Sequence, residues 1–164
     1  IKNEKPDTGH IISQKKILIS KNDNAKSLYE KVMNSALIQL EEIVEMFRKN
    51  NIKIINKKTK SNSWRRRYYP DGKIDWRMTA LSINNLIKAL DKPYSYAHFN
   101  FMGGEIKILK SKLIRDKTPH YCEHLEPGKI ISKKKSFFDV KCGSGIIRIL
   151  KTNKKLNLKK INYL

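Results

Sequence analysis

The chain has 164 residues, with 36 Lys+Arg against 15 Asp+Glu and a formal net charge of +21. That length suits one mid-sized domain or two small ones, and an apolar fraction of 39% is enough for a packed core, which excludes wholesale disorder. No apolar run approaches the roughly 20 residues needed to cross a bilayer, so no membrane partner is expected. The charge is Lys-heavy: seven basic residues are Arg and 29 are Lys, beside 22 Ile and 14 Asn. Lys, Ile and Asn share A/T-rich codons, so genome base composition raises all three together. A dedicated nucleic-acid binder adds Arg and aromatic platforms, which makes the charge a weak pointer to RNA or DNA. Two cysteines, Cys122 and Cys142, cannot form a disulfide framework, and no basic-then-apolar export signal is present. A reducing cytoplasm is the expected compartment. The start at Ile1 rather than Met reads as a piece of a longer chain.

In chain order, Ile11 to Ile19 is Ile-rich and short, which predicts extended chain. Asn22-Asp23-Asn24 supplies N-cap chemistry, and from Ala25 to about Arg48 the apolar residues Leu28, Val32, Ala36, Leu40, Ile43, Val44 and Phe47 recur at helical spacing. That rhythm predicts a helix with one buried stripe. Asn50-Asn51 stops it, and Ile52 to Ile55 reads as a short strand. Lys57 to Ser63 is polar and aperiodic, and Pro70-Asp71-Gly72 marks a turn. A domain boundary is expected between them. Thr79 caps a second helix through about Leu90, with Ile83, Leu86, Ile87 and Leu90 on one face and Pro93 ending it. Short strands follow at Ala97–Met102, Glu105–Leu109, Lys129–Ser132, Phe137–Lys141 and Ile146–Leu150. Gly103-Gly104 and Gly143-Ser144-Gly145 mark hairpins. One helix followed by several short strands points to a small open barrel of the OB type.

Four constellations could carry chemistry. Asp7-Thr8-Gly9, just before a strand, is either a turn or a carboxylate held at the mouth of a sheet, able to orient a histidine or move a proton. His120-Tyr121-Cys122-Glu123-His124 would put His120, Cys122 and His124 on one face of an extended strand. No second Cys/His pair exists to complete a zinc site, so a solvated loop is the expectation and no metal is assigned. Trp64-Arg65-Arg66-Arg67-Tyr68-Tyr69 can stack on bases or hold phosphates, of RNA or of a nucleotide-sugar diphosphate; equally it can be a linker with wet arginines. Lys133-Lys134-Lys135 and the tail pairs Lys154-Lys155 and Lys159-Lys160 read as solvated surface. No P-loop, GxGxxG, GxSxG or HExxH pattern occurs.

The order of segments resembles a known family. Asp7-Thr8-Gly9-His10-Ile11-Ile12-Ser13-Gln14, then Ile19-Ser20-x-Asn22-Asp23-x-Ala25-x-Ser27-Leu28, is similar to the second half of a folate-dependent formyltransferase catalytic domain. Asp71-Gly72-Lys73-Ile74-Asp75-Trp76, Asn85 to Leu90, and Lys92-Pro93-Tyr94-x-x-Ala97 resemble the family's linker and first C-terminal helix. Pro127-Gly128-Lys129-Ile130 and Val140-Lys141-Cys142-Gly143-x-Gly145 resemble its C-terminal barrel.

The resemblance implies an α/β plus β architecture. Residues 1–62 would be the C-terminal part of a Rossmann-like formyltransferase catalytic domain, 63–76 a linker, and 77–164 a small helix-plus-OB-like barrel domain. It implies transfer of a formyl group from 10-formyltetrahydrofolate to a primary amine by an Asn–His–Asp set. Only the Asp maps here, onto Asp7, and Asn3, Glu4, Lys5 and Pro6 correspond with it to the loop lining the folate pocket. The family's Asn and His lie upstream, so the chain by itself is expected to lack formyl transfer. The Lys92-Pro93-Tyr94-x-x-Ala97-His98 segment and the ending Lys159 to Leu164 look more like the sugar N-formyltransferases, which implies a nucleotide-linked amino sugar as acceptor. Methionyl-tRNA as acceptor, or a non-catalytic OB-type RNA-binding module, are the alternatives, and a homodimer is a further expectation.

Overall fold

The computed structural model describes residues 9–55 and 63–164. Two units divide the chain, Ile1–Asp23 with Ser27–Arg66 and Asn24–Lys26 with Arg67–Leu164. The first is dominated by helix α1, Ala25–Arg48, which has the bounds its apolar period predicts. The extended segments before and after it meet only at one antiparallel bridge, Ile11 with Ile55, whose two amide bonds measure 2.8 and 3.3 Å. The strand expected at 52–55 therefore does not develop among the described residues, and the segment 11–19, expected to be extended, joins no ladder there. A strand exists only where a neighbouring edge takes its N–H and C=O groups, and among the described residues no edge beyond that bridge is supplied.

The stripe expected to be buried is not. No residue of α1 is buried, and Val32, Leu40, Val44 and Phe47 are among the exposed large apolar side chains. The half-buried side of the helix carries Leu28, Lys31, Ser35, Gln39, Ile43 and Met46, and its hydrogen bonds are polar ones: Gln39 Nε2 donates to Ser13 Oγ at 2.8 Å, Lys15 Nζ to Glu42 at 2.5 Å, and Lys31 Nζ to the Leu18 carbonyl at 3.3 Å. Segment 13–18 thus lies along a mixed side of the helix and leaves Val32, Leu40, Val44 and Phe47 uncovered.

The second unit is an antiparallel five-stranded half-barrel with one helix. Its strands are β1 (His98–Phe101), β2 (Gly104–Arg115), β3 (Ile130–Lys133), β4 (Phe138–Lys141) and β5 (Ile146–Thr152), in the order β1-β2-β5-β4-β3. All five expected strands form, but β2 runs six residues past its expected end at Leu109. Its register shifts near Lys110 and Leu113 let one long strand pair with both β1 and β5. Met102 (φ 49°) and Gly103 (φ 75°) make the two-residue turn joining β1 to β2, whose strand twist requires positive φ at both central positions. Both sheet edges are covered. Ile74 donates to the His98 carbonyl at 2.7 Å beside β1, and Ile130 to the Asn162 carbonyl at 2.9 Å beside β3.

Helix α2 (Ala80–Ala89) starts where Thr79 Oγ1 accepts from the Ser82 amide at 3.1 Å, and it buries Ala80, Ile83, Asn84 and Ile87. These pack with Trp76, Phe99, Ile108, Val140, Ile147 and Ile149 into one core. Gly143, between β4 and β5, is required by close approach. Its amide donates at 2.9 Å to the carbonyls of both Trp76 and Met78, and a Cβ there would fall 1.8 Å from the Arg77 carbonyl oxygen. The expected extended geometry of 120–124 is absent. His120–Cys122 is a 3-10 turn in which Cys122 points into the interior while the His120 side chain is 98% exposed. Three residues per turn separate neighbours by about 120°, so the strand-like common face does not arise.

Candidate functional site

The sequence-derived site, Asn3, Glu4, Lys5, Pro6 and Asp7, lies outside the described residues. The chain directly after it is anchored. Ile11 is bridged to Ile55, and Ser13 and Lys15 are tied to α1 through Gln39 and Glu42. At the start of α1, Asp23 accepts from Lys31 Nζ at 2.6 Å, the Ser20 amide at 2.7 Å and Ser27 Oγ at 2.9 Å. The Lys31 ammonium, then the Ser20 amide, hold its carboxyl well below the usual carboxylate range. With these three bonds the carboxylate closes a loop-to-helix junction.

In the second unit the lysines read as scattered surface converge. The end of β3, the turn closed by Lys134 N to Phe137 O at 2.9 Å, the end of β5 and the segment 153–159 wall an open cleft of about 900 Å³. Lys133, Lys134, Lys135, Lys151, Lys154, Lys155 and Lys159 line it, and no Asp or Glu does. Leu156, Leu158 and Ile161 pack against the core, which leaves Lys154, Lys155 and Lys159 turned outward. The Phe137 ring closes one side and carries the Arg148 guanidinium 3.7 Å above it. That guanidinium is locked to Asp139 by two bonds of 2.7 and 2.9 Å. Ammonium groups gathered without counter-charges can hold the phosphates of a nucleotide or of an RNA backbone. The legible signal in sequence was the alternation of Leu156, Leu158 and Ile161 with lysines, a one-sided pattern hidden by the overall abundance of Lys.

A second cluster joins the start of this unit to its sheet. The Tyr69 ring stacks on His98, with centroids 4.4 Å apart and planes 9° apart, and its hydroxyl donates to Glu105 Oε1. That bond pushes the Tyr69 phenol up to about 12. Lys107 Nζ lies 5.6 Å from the Tyr69 ring centroid, and His98 Nε2 is 3.9 Å from Glu105 Oε2. His98 Nδ1 is buried with no hydrogen-bond partner. Of the aromatic–arginine run, Tyr69 is packed against a ring, whereas Trp64 is 80% exposed and Tyr68 is also open. The cysteines are poor nucleophiles: burial pushes the Cys142 thiol up to about 12 and also raises that of Cys122. Among the described residues no three His, Cys, Asp or Glu groups converge as a metal site, and His120 pairs instead with Glu123 at 3.1 Å.

Comparison with known proteins assigns the second unit to a family. Residues 68–162 match the family described as formyl transferase, C-terminal domain. The bifunctional polymyxin resistance protein ArnA of Wigglesworthia glossinidia brevipalpis is 38% identical over 136 residues, covering 81% of this chain and 21% of that protein. The chain thus spans about one fifth of the length of this relative. A crystal structure of a HypX variant from Aquifex aeolicus superposes with a TM-score of 0.63 at 15% identity, over 94% of this chain and 26% of that one. At that identity the likeness is one of fold.

Proposed function

We propose, from the premise that the chain belongs to the formyl transferase family through its C-terminal domain, that it is part of an enzyme passing a formyl group from 10-formyltetrahydrofolate to the amine of a nucleotide-linked amino sugar. The carrying observation is the 38% identity to the polymyxin resistance protein over 81% of this chain. The Lys92 to His98 segment agrees with it. In this reading residues 1–62 end the catalytic domain, 63–76 link, and 77–164 form the barrel domain. Asp7 supports the family's upstream histidine as that histidine takes a proton from the attacking amine. Asn3, Glu4, Lys5 and Pro6 border the folate. Bound 10-formyltetrahydrofolate supplies the activated formyl carbon; this chain's residues orient it and stabilise the proton's departure.

The test is an assay of the polypeptide that unites this chain with the family's Asn- and His-bearing segment. Donor and a panel of nucleotide-linked amino sugars are expected to yield N-formyl product, and Asp7→Asn to lower kcat by about 10²–10⁴. No transfer to any amino sugar refutes the reading.

The lysine-lined cleft favours a second reading, with methionyl-tRNA as acceptor. Each phosphate contact steepens the salt dependence of binding by roughly 0.7–0.9 in the log–log slope. Selective binding of initiator tRNA that persists at physiological salt, weakens in a Lys133→Ala/Lys134→Ala/Lys135→Ala variant, and accompanies formylation of the charged tRNA would replace the sugar reading. Binding indifferent to RNA sequence and lost at that salt leaves it standing.

A further inference from the structure

The lysines of the half-barrel cleft form two banks. One is Lys133, Lys134 and Lys135 at the end of β3; the other is Lys151, Lys154, Lys155 and Lys159 at and beyond the end of β5. Lys133 pairs with Phe138 and Phe138 with Ile149, so β4 is the one strand between the banks, which leave the sheet about 10 Å apart. Among the described residues none of the seven ammonium groups makes an ion pair, and Lys133 meets only the neutral Asn162 Oδ1 at 3.3 Å. The carboxylate nearest in the sheet, Asp139 of β4, is taken by Arg148 through its two bonds. Positive groups gathered in this way raise the local potential and favour an anion with several charges on one short frame.

We propose that this cleft reversibly binds a polyphosphate chain of three or more phosphoryl groups, inorganic or carried by a nucleotide, held between the two banks. The assignment goes beyond both acceptor readings above and depends on neither. Three observations select that ligand. The cleft measures about 900 Å³, within the roughly 300–1,000 Å³ of small-ligand sites. The banks lie on both sides of β4, so a lone phosphate satisfies one bank and leaves the other without a counter-charge, whereas a linked chain reaches both. The available cations are all Lys, compact point charges that meet phosphoryl oxygens without the fixed fork of Arg. The equipment for reading or stacking RNA bases is missing from the lining. Arg148 is locked to Asp139 and sits 3.7 Å over the ring of Phe137, and no Tyr or Trp lines the cleft.

The experiment titrates the full chain by calorimetry at physiological salt with inorganic tripolyphosphate, ATP, inorganic phosphate and initiator tRNA. Tripolyphosphate should bind 1:1 and at least tenfold more tightly than inorganic phosphate. Lys133→Ala/Lys134→Ala/Lys135→Ala and, separately, Lys154→Ala/Lys155→Ala/Lys159→Ala should each weaken it at least tenfold. Lys16→Ala/Lys53→Ala/Lys117→Ala removes the same charge from exposed positions off the cleft and should change it less than twofold. Near-ultraviolet dichroism of the Trp76 core should be the same in all three variants. ATP bound more tightly than tripolyphosphate supports a nucleotide as the carrier of the chain, and ATP bound equally or more weakly supports the inorganic form. No binding at physiological salt, more than one chain bound per protein, a loss confined to one bank, or an equal loss in the off-cleft variant overturns the proposal. So does tRNA that binds through the same lysines and is not displaced by tripolyphosphate, a result that favours the tRNA reading instead.

Discussion

Residues 67–164 and residues 27–55 each draw nearly half of their residues from Ile, Leu, Lys and Asn together, 45 of 98 and 14 of 29, yet they handle apolar surface in opposite ways. The half-barrel encloses Ile83, Ile108, Val140, Ile147 and Ile149 at 1% exposure or less. In helix α1 and its flanking segments no described residue is fully buried. The contrast shows that amphipathic periodicity and burial are separate properties. Periodicity lives in the order of residues along one helix; burial needs a second apolar surface at the right distance. In the half-barrel, α2 finds that surface on the β2–β5 pair. In the first unit the nearby chain offers Ser13, Lys15 and a carbonyl, and polar groups of the helix meet them.

The widest test of this contrast is a pair of truncations. Ile108→Ala should lower the unfolding free energy of the half-barrel by about 2–5 kcal/mol, the range for a fully buried large aliphatic residue. Leu40→Ala, of similar volume lost but 58% exposed, should change it by less than about 0.5 kcal/mol. Urea titrations followed by tryptophan fluorescence compare them; equal losses would break the contrast.

Gly143→Ala comes next, at about 2–3 kcal/mol, because its methyl group meets the backbone oxygen of Arg77 and not a side chain that could swing away. The same urea titration measures it, and a loss under about 0.5 kcal/mol would mean that segment 76–78 yields easily. Thr79→Ala should remove about 1 kcal/mol by leaving the Ser82 amide without its cap, seen as a shift of the denaturation midpoint at constant slope.

The pH responses of the two units should be smallest and of opposite sense. Asp23 has a lowered folded pKa, so what it contributes is complete above the ordinary carboxylate value and is lost as pH falls through the lowered one. Helicity followed by circular dichroism should therefore hold through pH 4 and fall only in stronger acid, with Asp23→Asn removing that step. Cys142 has a folded pKa raised to about 12 from an ordinary value of 9.0. Its neutral form is the one the fold favours, so stability is complete below about pH 9 and declines as pH rises toward 12. A Cys142→Ala variant should show a shallower decline over that window; an unchanged slope would remove the thiol from the account.

Much of the half-barrel was legible because its signals are local. Thr79 ahead of a 3.6-residue apolar period, the Gly103-Gly104 pair and the Gly143-Ser144-Gly145 run each act within a few residues. The extension of β2 to Arg115 was not legible, since Lys110, Ser111 and Lys112 alternate poorly and are held in the sheet by β5. Nor was the turn at His120–Cys122, where burial of Cys122 chooses a 3-10 geometry over the extended one. The lysine cleft lay beyond reading for a related reason. Lys133–Lys135 and Lys151–Lys159 are separate in sequence and become neighbours only because β3 and β5 both pair with β4 in one sheet.

The order of residues by itself determined the family, since the motifs from Asp71 to Gly145 follow one another as in a formyl transferase C-terminal domain and residues 68–162 match it. It also determined where α1 and α2 begin and where the hairpins turn, because caps, periods and glycines act over one or two turns of chain. Only the tertiary structure decided which apolar stripe is enclosed and which is presented, and which lysines share a cleft. Those outcomes depend on surfaces brought together from distant residues: hydrophobic free energy and electrostatic potential both sum over neighbours in space, and neighbours in space are what a one-dimensional pattern does not contain.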